Sequence, residues 1–160
     1  VDLADAVAQL LASVPAVRYV KEEVMPGGQR MGRLLDVAPP TLEGVFGGAG
    51  GRAIIDELER GAAGAMPACE LTEIHVAIWN AHRRGDVGRA RELFERSLPL
   101  LTMQAVFRMN LTKRVLHRRG ILDSEYVRVG SIPLDAIDER ELDSWLERID
   151  DLLDAAAASA

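Results

Sequence analysis

Residues 3–67 alternate between helix-period and strand-period hydrophobic patterns, and this most narrows the folds open to the chain. Leu3, Ala6, Val7, Leu10, Leu11 and Val14 follow the 3, 4, 3, 4 ladder of one helix face, with Asp2 placed as its cap and Pro15 as its stop. Val17-Arg18-Tyr19-Val20-Lys21 is short, β-branched and aromatic, which is a strand pattern. A loop at Met25-Pro26-Gly27-Gly28 leads into a second helical stripe of Met31, Leu34, Leu35 and Ala38, ended by Pro39-Pro40. Leu42 to Phe46 reads as a second strand running into Gly47-Gly48-Ala49-Gly50-Gly51. Ala53, Ile54, Ile55 and Leu58 then make a helix closed by Gly61, and Ala63 to Pro67 is a third short strand. Strands separated by helices run parallel, because each crossover helix returns the chain to the same end of the sheet.

After Glu70 the pattern is helical only. Leu71, Ile74, Ile78 and Trp79 share a face that stops at Gly85. Asp86 caps a helix carrying Val87, Ala90, Leu93 and Phe94, expected to end near Pro99. Leu100 to Arg119 reads as a long helical region broken near Asn110, with Gly120 as its left-handed stop. An extended link from Asp123 to Leu134 follows. Asp138 with Glu141 reads as a capping-box start for the stripe Leu142, Trp145, Leu146, Ile149, Leu152 and Leu153, and the Ala-rich tail after Asp154 is expected to fray. No repeat or low-complexity linker marks a boundary, so the 160 residues read as a single α/β domain. Residues 1–69 hold its strand–helix units and 70–160 its helices. Three parallel strands with two open edges make an unfinished sheet, the back part of something larger.

Composition removes several function classes. The net charge is −6 at pH 7, which opposes general binding to a phosphate backbone. The single Cys69 excludes an intrachain disulfide framework and a four-cysteine zinc site, and is expected to be a small buried apolar residue. His75 and His82 stand two helical turns, about 10 Å, apart, too far to share an ion, so they are expected at a surface or interface; no metal is expected. No apolar run approaches the ~20 residues of a membrane span, and no signal peptide is visible, so a reducing cytoplasm is the expected compartment. Without a secretory signal, the Asn110-Leu111-Thr112 sequon carries no meaning. The sequence begins at Val1 and not Met, as a processed, engineered or truncated start would.

Two stretches carry candidate chemistry. Lys21 ends a predicted strand, where βα units place their active sites. Desolvation there favours the neutral amine that attacks a ketone to form a Schiff base, and Glu22 or Glu23 stands ready to relay a proton or orient a substrate hydroxyl. The bland alternative is a solvated lysine starting a loop. Gly48-Ala49-Gly50-Gly51-Arg52-Ala53 satisfies the loose dinucleotide pattern G-x-G-x-x-A, with Glu70 roughly 20 residues on, where a ribose-binding acid belongs. It does not follow the first strand, however, and a glycine-rich turn that lets a ligand approach the backbone is the better reading.

The order of these segments resembles one family. Val17-Arg18-Tyr19-Val20-Lys21-Glu22-Glu23 is similar to the strand bearing the Schiff-base lysine in the dihydrodipicolinate synthase and N-acetylneuraminate lyase superfamily. Val45-Phe46-Gly47-Gly48-Ala49-Gly50 is similar to its next, glycine-bearing strand, and Glu57 to Pro67 looks like its entry to the last barrel strand. Arg84 to Phe94 resembles its G-D-x-x-x-A-x-x-L link, and Leu98-Pro99-Leu100, Lys113 with Gly120, and Val127-Arg128 with Pro133-Leu134 echo its closing segments.

The resemblance implies the C-terminal part of a (β/α)8 TIM barrel, three parallel strands with helices, plus a C-terminal helical extension. It implies a class I lyase acting without a cofactor on pyruvate or a 2-keto-3-deoxy sugar acid, by aldol or dehydratase chemistry. Lys21 would be the catalytic nucleophile, Glu23 an assistant, and Gly48 and Met66 would line the substrate pocket with their backbone. The Glu22-Glu23 pair looks nearer to the sugar-acid branches than to the synthases themselves. The family's first five strands, its carboxylate-binding threonine loop and its proton-relaying tyrosine have no match here, and Tyr19 does not stand in for that tyrosine. The expected partner is therefore a second copy of the chain or an N-terminal half. The rival reading is a non-catalytic, oligomerising or interaction module.

Overall fold

The computed structural model describes residues 3–130 and 132–157, so the cap expected at Asp2 and the last three residues of the tail lie outside the described residues. The chain falls into two compact units, Val1–Pro67 and Ala68–Ala160.

In the first unit the elements run α1 (Leu3–Ser13), β1 (Tyr19–Lys21), α2 (Gly27–Val37), β2 (Gly44–Gly47), α3 (Ile54–Glu59) and β3 (Gly64–Ala65). The three strands form one parallel sheet in chain order, with Lys21 level with Phe46, and Phe46 level with Gly64. Each strand is shorter than its hydrophobic run, because the outer residues of each run lead into loops. Conversely, α2 starts at Gly27, inside the expected loop, with the extended Pro26 as its cap residue.

Side chains alternate across a strand, so Val20 and Val45 point to one face of the sheet and Tyr19, Lys21 and Phe46 to the other. The first face is covered: Val45 and Met31 of α2 are fully buried, and Leu34 of α2 and Ile54, Ile55 and Leu58 of α3 are buried. Each such side chain stabilises the unit by about 1.5–3 kcal/mol through lost apolar surface. The second face is open. Tyr19 is 51% exposed, its hydroxyl donating to Glu43 at 2.5 Å and its ring tilted against Phe46 at 5.6 Å between centroids.

The second unit is helical: α4 (Thr72–Arg83), α5 (Val87–Phe107), α6 (Met109–Arg118), α7 (Ala136–Glu147) and α8 (Asp150–Ala157). Three local expectations need correction. α5 runs straight through Pro99, because Leu93, Leu100 and Leu101 are buried on both sides of the proline and their packing offsets the ~3 kcal/mol it costs a helix interior. The break expected near Asn110 falls at Arg108, which has φ +51°. The cap of α7 is Asp135, whose carboxylate accepts the Ile137 and Asp138 N–H groups, while Asp138 accepts the Asp135 N–H at 2.9 Å; Asp138 is thus the second half of the box and not its start. The final stripe is split between α7 and α8, with Ile149 buried at the junction. Gly120 has the expected left-handed φ of +68°, and the link from Asp123 to Leu134 has neither helix nor strand among its described residues.

Two single-residue expectations also fail. Cys69 is exposed, because it starts the short turn of 3-10 helix that leads into α4 while Glu70 and Leu71 take the inward positions. His75 is not at a surface: it shares the inward face of α4 with Ile74 and Ile78 and is 5% exposed. Burial pushes its pKa down to about 4, with the Leu71 backbone opposing. Nearby in sequence Glu70 is 1% exposed, and burial pushes its pKa up. Among the described residues no helix is long and apolar enough to cross a membrane.

Candidate active site

A parallel sheet presents the carboxyl ends of all its strands on one edge, and the residues singled out by sequence meet there. Lys21 is the last residue of β1. Gly48 follows β2 directly, and Met66 follows β3, its N–H donating to the Gly47 carbonyl at 2.9 Å. Lys21 Nζ lies 3.2 Å from Glu23 Oε1, and the same oxygen accepts the Ala49 N–H at 2.8 Å. Lys21, Glu23 and the Gly48-Ala49 backbone therefore form one contiguous group. The lysine side chain is about a third exposed and opens onto the uncovered face of the sheet. Met66 stands one strand further along the same edge, with an exposed side chain.

The two glutamates after the lysine separate by alternation. Glu23 sits on the lysine's side. Glu22 points toward the helices, where its Oε1 accepts the Val24 N–H at 2.8 Å and lies 3.2 Å from Arg30 Nε of α2. A cavity of about 280 Å³ adjoins that pair, lined among others by Val7, Glu22, Met25 and Arg30, and Lys21 is not in its wall.

Sequence reading passed over the most unusual group here, Glu57. It lies on the buried face of α3 with Ile54 and Leu58 and is 2% exposed. Its Oε2 would lie 1.8 Å from a Cβ on Gly47, so Gly47 leaves the space this carboxyl fills. Burial raises its pKa from 4.5 to about 7; the Gly48 N–H lowers it, and the charges of Asp56 and Glu23 raise it further. The available signal was a glutamate on the inward stripe of a short helix, three residues after Ile54. Gly48 makes room on the opposite side of the strand, since a Cβ there would lie 2.3 Å from Glu23 Cγ.

These two glycines predict different defects. Gly47→Ala drives a methyl into a carboxyl group that has no outlet, and is expected to lower stability by about 2 kcal/mol, read by urea unfolding. Gly48→Ala meets Glu23, whose side chain is half exposed and has solvent to move into. It should change stability by under about 1 kcal/mol while displacing Glu23 from Lys21. Equal destabilisation by the two would show that neither carboxyl position matters.

The glycine turn is not an open phosphate cradle. The Ala49 N–H is engaged by Glu23, the Gly51 N–H donates to the Gly48 carbonyl at 2.9 Å, and the Gly48 N–H faces Glu57. Positive φ at Ala49, Gly50 and Gly51 folds the turn back on itself, the helix that follows has only six residues, and Glu70 is buried. Among the described residues no group of three or more His, Cys, Asp or Glu side chains is placed to hold a metal ion.

Parallel strands, helices on one face only and an open opposite face define this unit as a segment of a βα barrel. The chain is similar over 91% of its length to dihydrodipicolinate synthase from Rhodopseudomonas palustris, with 26% identity and a TM-score of 0.81, and covers 50% of that protein. It is similar over 97% of its length to 4-hydroxy-tetrahydrodipicolinate synthase from Methylacidiphilum fumariolicum SolV, with 21% identity and a TM-score of 0.79, covering 51% of it. YagE from E. coli K12, a member of the dihydrodipicolinic acid synthase family solved in complex with pyruvate, matches 92% of the chain at 20% identity and a TM-score of 0.78, over 51% of its own length. No family model and no curated protein matches the sequence. The chain has the fold of the C-terminal half of the (β/α)8 barrel of the dihydrodipicolinate synthase family, and spans about half the length of the solved structures it matches.

Proposed function

We propose that the chain carries the imine-forming half of a class I lyase acting on a 2-oxo acid, pyruvate or a 2-keto-3-deoxy sugar acid, with Lys21 as nucleophile. The observation that supports this most is the placement of Lys21 at the carboxyl end of β1 with Glu23 Oε1 3.2 Å from its amine. In this reading Glu23 takes a proton from the Lys21 ammonium, and the free amine adds to the C2 carbonyl. The carbinolamine hydroxyl then leaves as water, protonated by Glu23, as the C–O bond breaks and the C=N bond forms. In aldol cleavage the cationic imine takes the electrons of the C3–C4 bond while Glu23 takes the C4 hydroxyl proton and C4 leaves as an aldehyde. In dehydration it takes the electrons of the C3–H bond while Glu23 takes that proton, and the enamine so formed expels the C4 hydroxyl as water with the proton returned by Glu23. Gly48 and Met66, on the same edge, would shape the pocket with their backbone. Pyruvate bound to YagE supports the substrate class.

The test is incubation with pyruvate, reduction with borohydride, intact mass and peptide mapping. One adduct on the Lys21 peptide is expected. Lys113 is the other lysine in the sequence, and its Nζ donates to the Tyr126 carbonyl at 2.5 Å. An adduct on Lys113, or none at all, overturns the assignment for this chain.

A second reading rests on the open sheet face, where Tyr19 is half exposed beside Phe46 and Lys21. Such a face suits association with a second copy or with an N-terminal half of a barrel, in a reducing cytoplasm where the single cysteine stays a thiol. Light scattering that returns a monomer over a wide concentration range removes the self-association version.

A further inference from the structure

Glu57 has no part in the imine chemistry above, yet its burial is unlike that of an ordinary structural glutamate. It is 2% exposed, and its Oε2 has no hydrogen-bond partner. A carboxylate so placed would lose several kcal/mol of hydration, so the group is retained in spite of its cost to the fold. The glycine before it in space, Gly47, is the residue that admits it.

Its surroundings connect it to the lysine. The Gly48 N–H faces the Glu57 carboxyl, and the next N–H along the chain, that of Ala49, donates to Glu23 Oε1, which pairs with Lys21. Consecutive amides of one turn thus hold two carboxyl groups on opposite sides of the strand. Asp56 and Glu23 are the charges that act on Glu57. Asp56 on its own helix is paired with Arg60 at 2.9 Å, and Glu23 is paired with Lys21. On α2, a Cβ at Gly27 would lie 3.7 Å from Glu57 Oε1, while Arg30 of that helix is engaged with Glu22.

We propose that Glu57 is a positioning residue of the Lys21 site, a buried carboxyl that holds a proton at the back of the Gly47-Gly48 turn and thereby sets the net charge around Glu23 and the lysine amine. The proposal deepens the imine reading and rests on Lys21 being the reacting amine. With Glu57 protonated, the carboxylate of Glu23 faces Lys21 with a neutral group on the other side of the strand. When Glu57 ionises, a second negative charge acts on Glu23 and favours the ammonium form of the lysine over the nucleophilic amine. The transition belongs near neutrality, since burial holds the group protonated up to about pH 7.

The experiment measures the rate of borohydride-trapped pyruvate adduct at Lys21 from pH 5 to 9, in the wild type, Glu57→Gln and Glu57→Leu. A parallel series uses acetic anhydride in place of pyruvate and Lys113 as internal reference. The wild type is expected to show an inflection near pH 7 superimposed on the rise from amine deprotonation. Glu57→Gln, neutral at every pH, should lack it and label Lys21 several-fold faster at pH 8. Glu57→Leu should lack it as well. A purely structural glutamate would change unfolding but leave the labelling profile of Lys21 unmoved, and an inflection that persists in Glu57→Gln overturns the proposal. If acetylation of Lys21 shows the Glu57-dependent inflection while pyruvate gives no adduct, the coupling stands and the imine reading falls.

Discussion

Lys21→Arg is expected to abolish the pyruvate-derived adduct while leaving the fold intact. The substitution keeps a cation opposite Glu23, so the carboxylate stays against the Ala49 N–H and the turn retains its shape. A guanidinium with pKa above 12 has no free lone pair at neutral pH and forms no imine. Lys21→Ala removes both the nucleophile and the cation. The pair it breaks is partly exposed on both sides, at 35% and 49% for the two side chains, so its loss should cost no more than about 1 kcal/mol. Both variants should therefore unfold within about 1 kcal/mol of the wild type and give no trapped adduct. An adduct that survives in Lys21→Arg would move the chemistry to another amine. Retention in both would leave Lys21 as a solvated lysine at the head of a loop.

His75 and Glu57, one in each unit, should make contributions to stability that depend on pH with opposite sign. In the second unit His75 has its pKa lowered from 6.5 to about 4 by burial. Its folded value is depressed, so its contribution to stability is complete above pH 6.5 and is lost as pH falls toward 4, because the unfolded chain binds the proton first. The 2.5-unit difference amounts to about 3 kcal/mol. In the first unit Glu57 has its pKa raised from 4.5 to about 7. Its contribution is complete below pH 4.5 and is lost as pH rises through 7, again about 3 kcal/mol. Glu70, also raised, acts in the second unit in the same sense as Glu57, so each contribution is isolated by difference.

Both tryptophans, Trp79 and Trp145, lie in the second unit and report it by fluorescence, while amide exchange at Val45 reports the first. His75→Leu should shrink the loss of stability between pH 6.5 and 4 in the tryptophan signal, and Glu57→Gln the loss between pH 4.5 and 7 at Val45. If either variant tracks the wild type across its window, that group is not buried in the charge state assigned to it.

The parallel sheet was legible because its cause is local. Three short β-branched or small-residue runs, each separated by a helical stripe, leave only crossover connections, and parallel pairing follows from them. The pairing of Lys21 with Glu23 was legible for the same reason, since the end of a strand is visible in sequence and residues two apart share a face. Helix ends were less so. Pro99 and Asp138 carry strong local signals for a stop and a start. Yet buried leucines carry the first helix onward, and Asp135 competes successfully for the second cap.

What only the tertiary structure decided is which polar groups are taken out of water. Glu57, Glu70 and His75 look in sequence like other charged residues on amphipathic helices, and Cys69 looks like a core residue. Burial depends on how two elements far apart in the chain meet: Glu57 is enclosed because Gly47 lacks a side chain, and Cys69 is exposed because Leu71 turns inward in its place. Hydrophobic periodicity therefore determined the order and direction of the elements in this protein. The charge states that would govern its lysine were set by contacts between strand and helix, where desolvation outweighs intrinsic preference and no single segment carries the information.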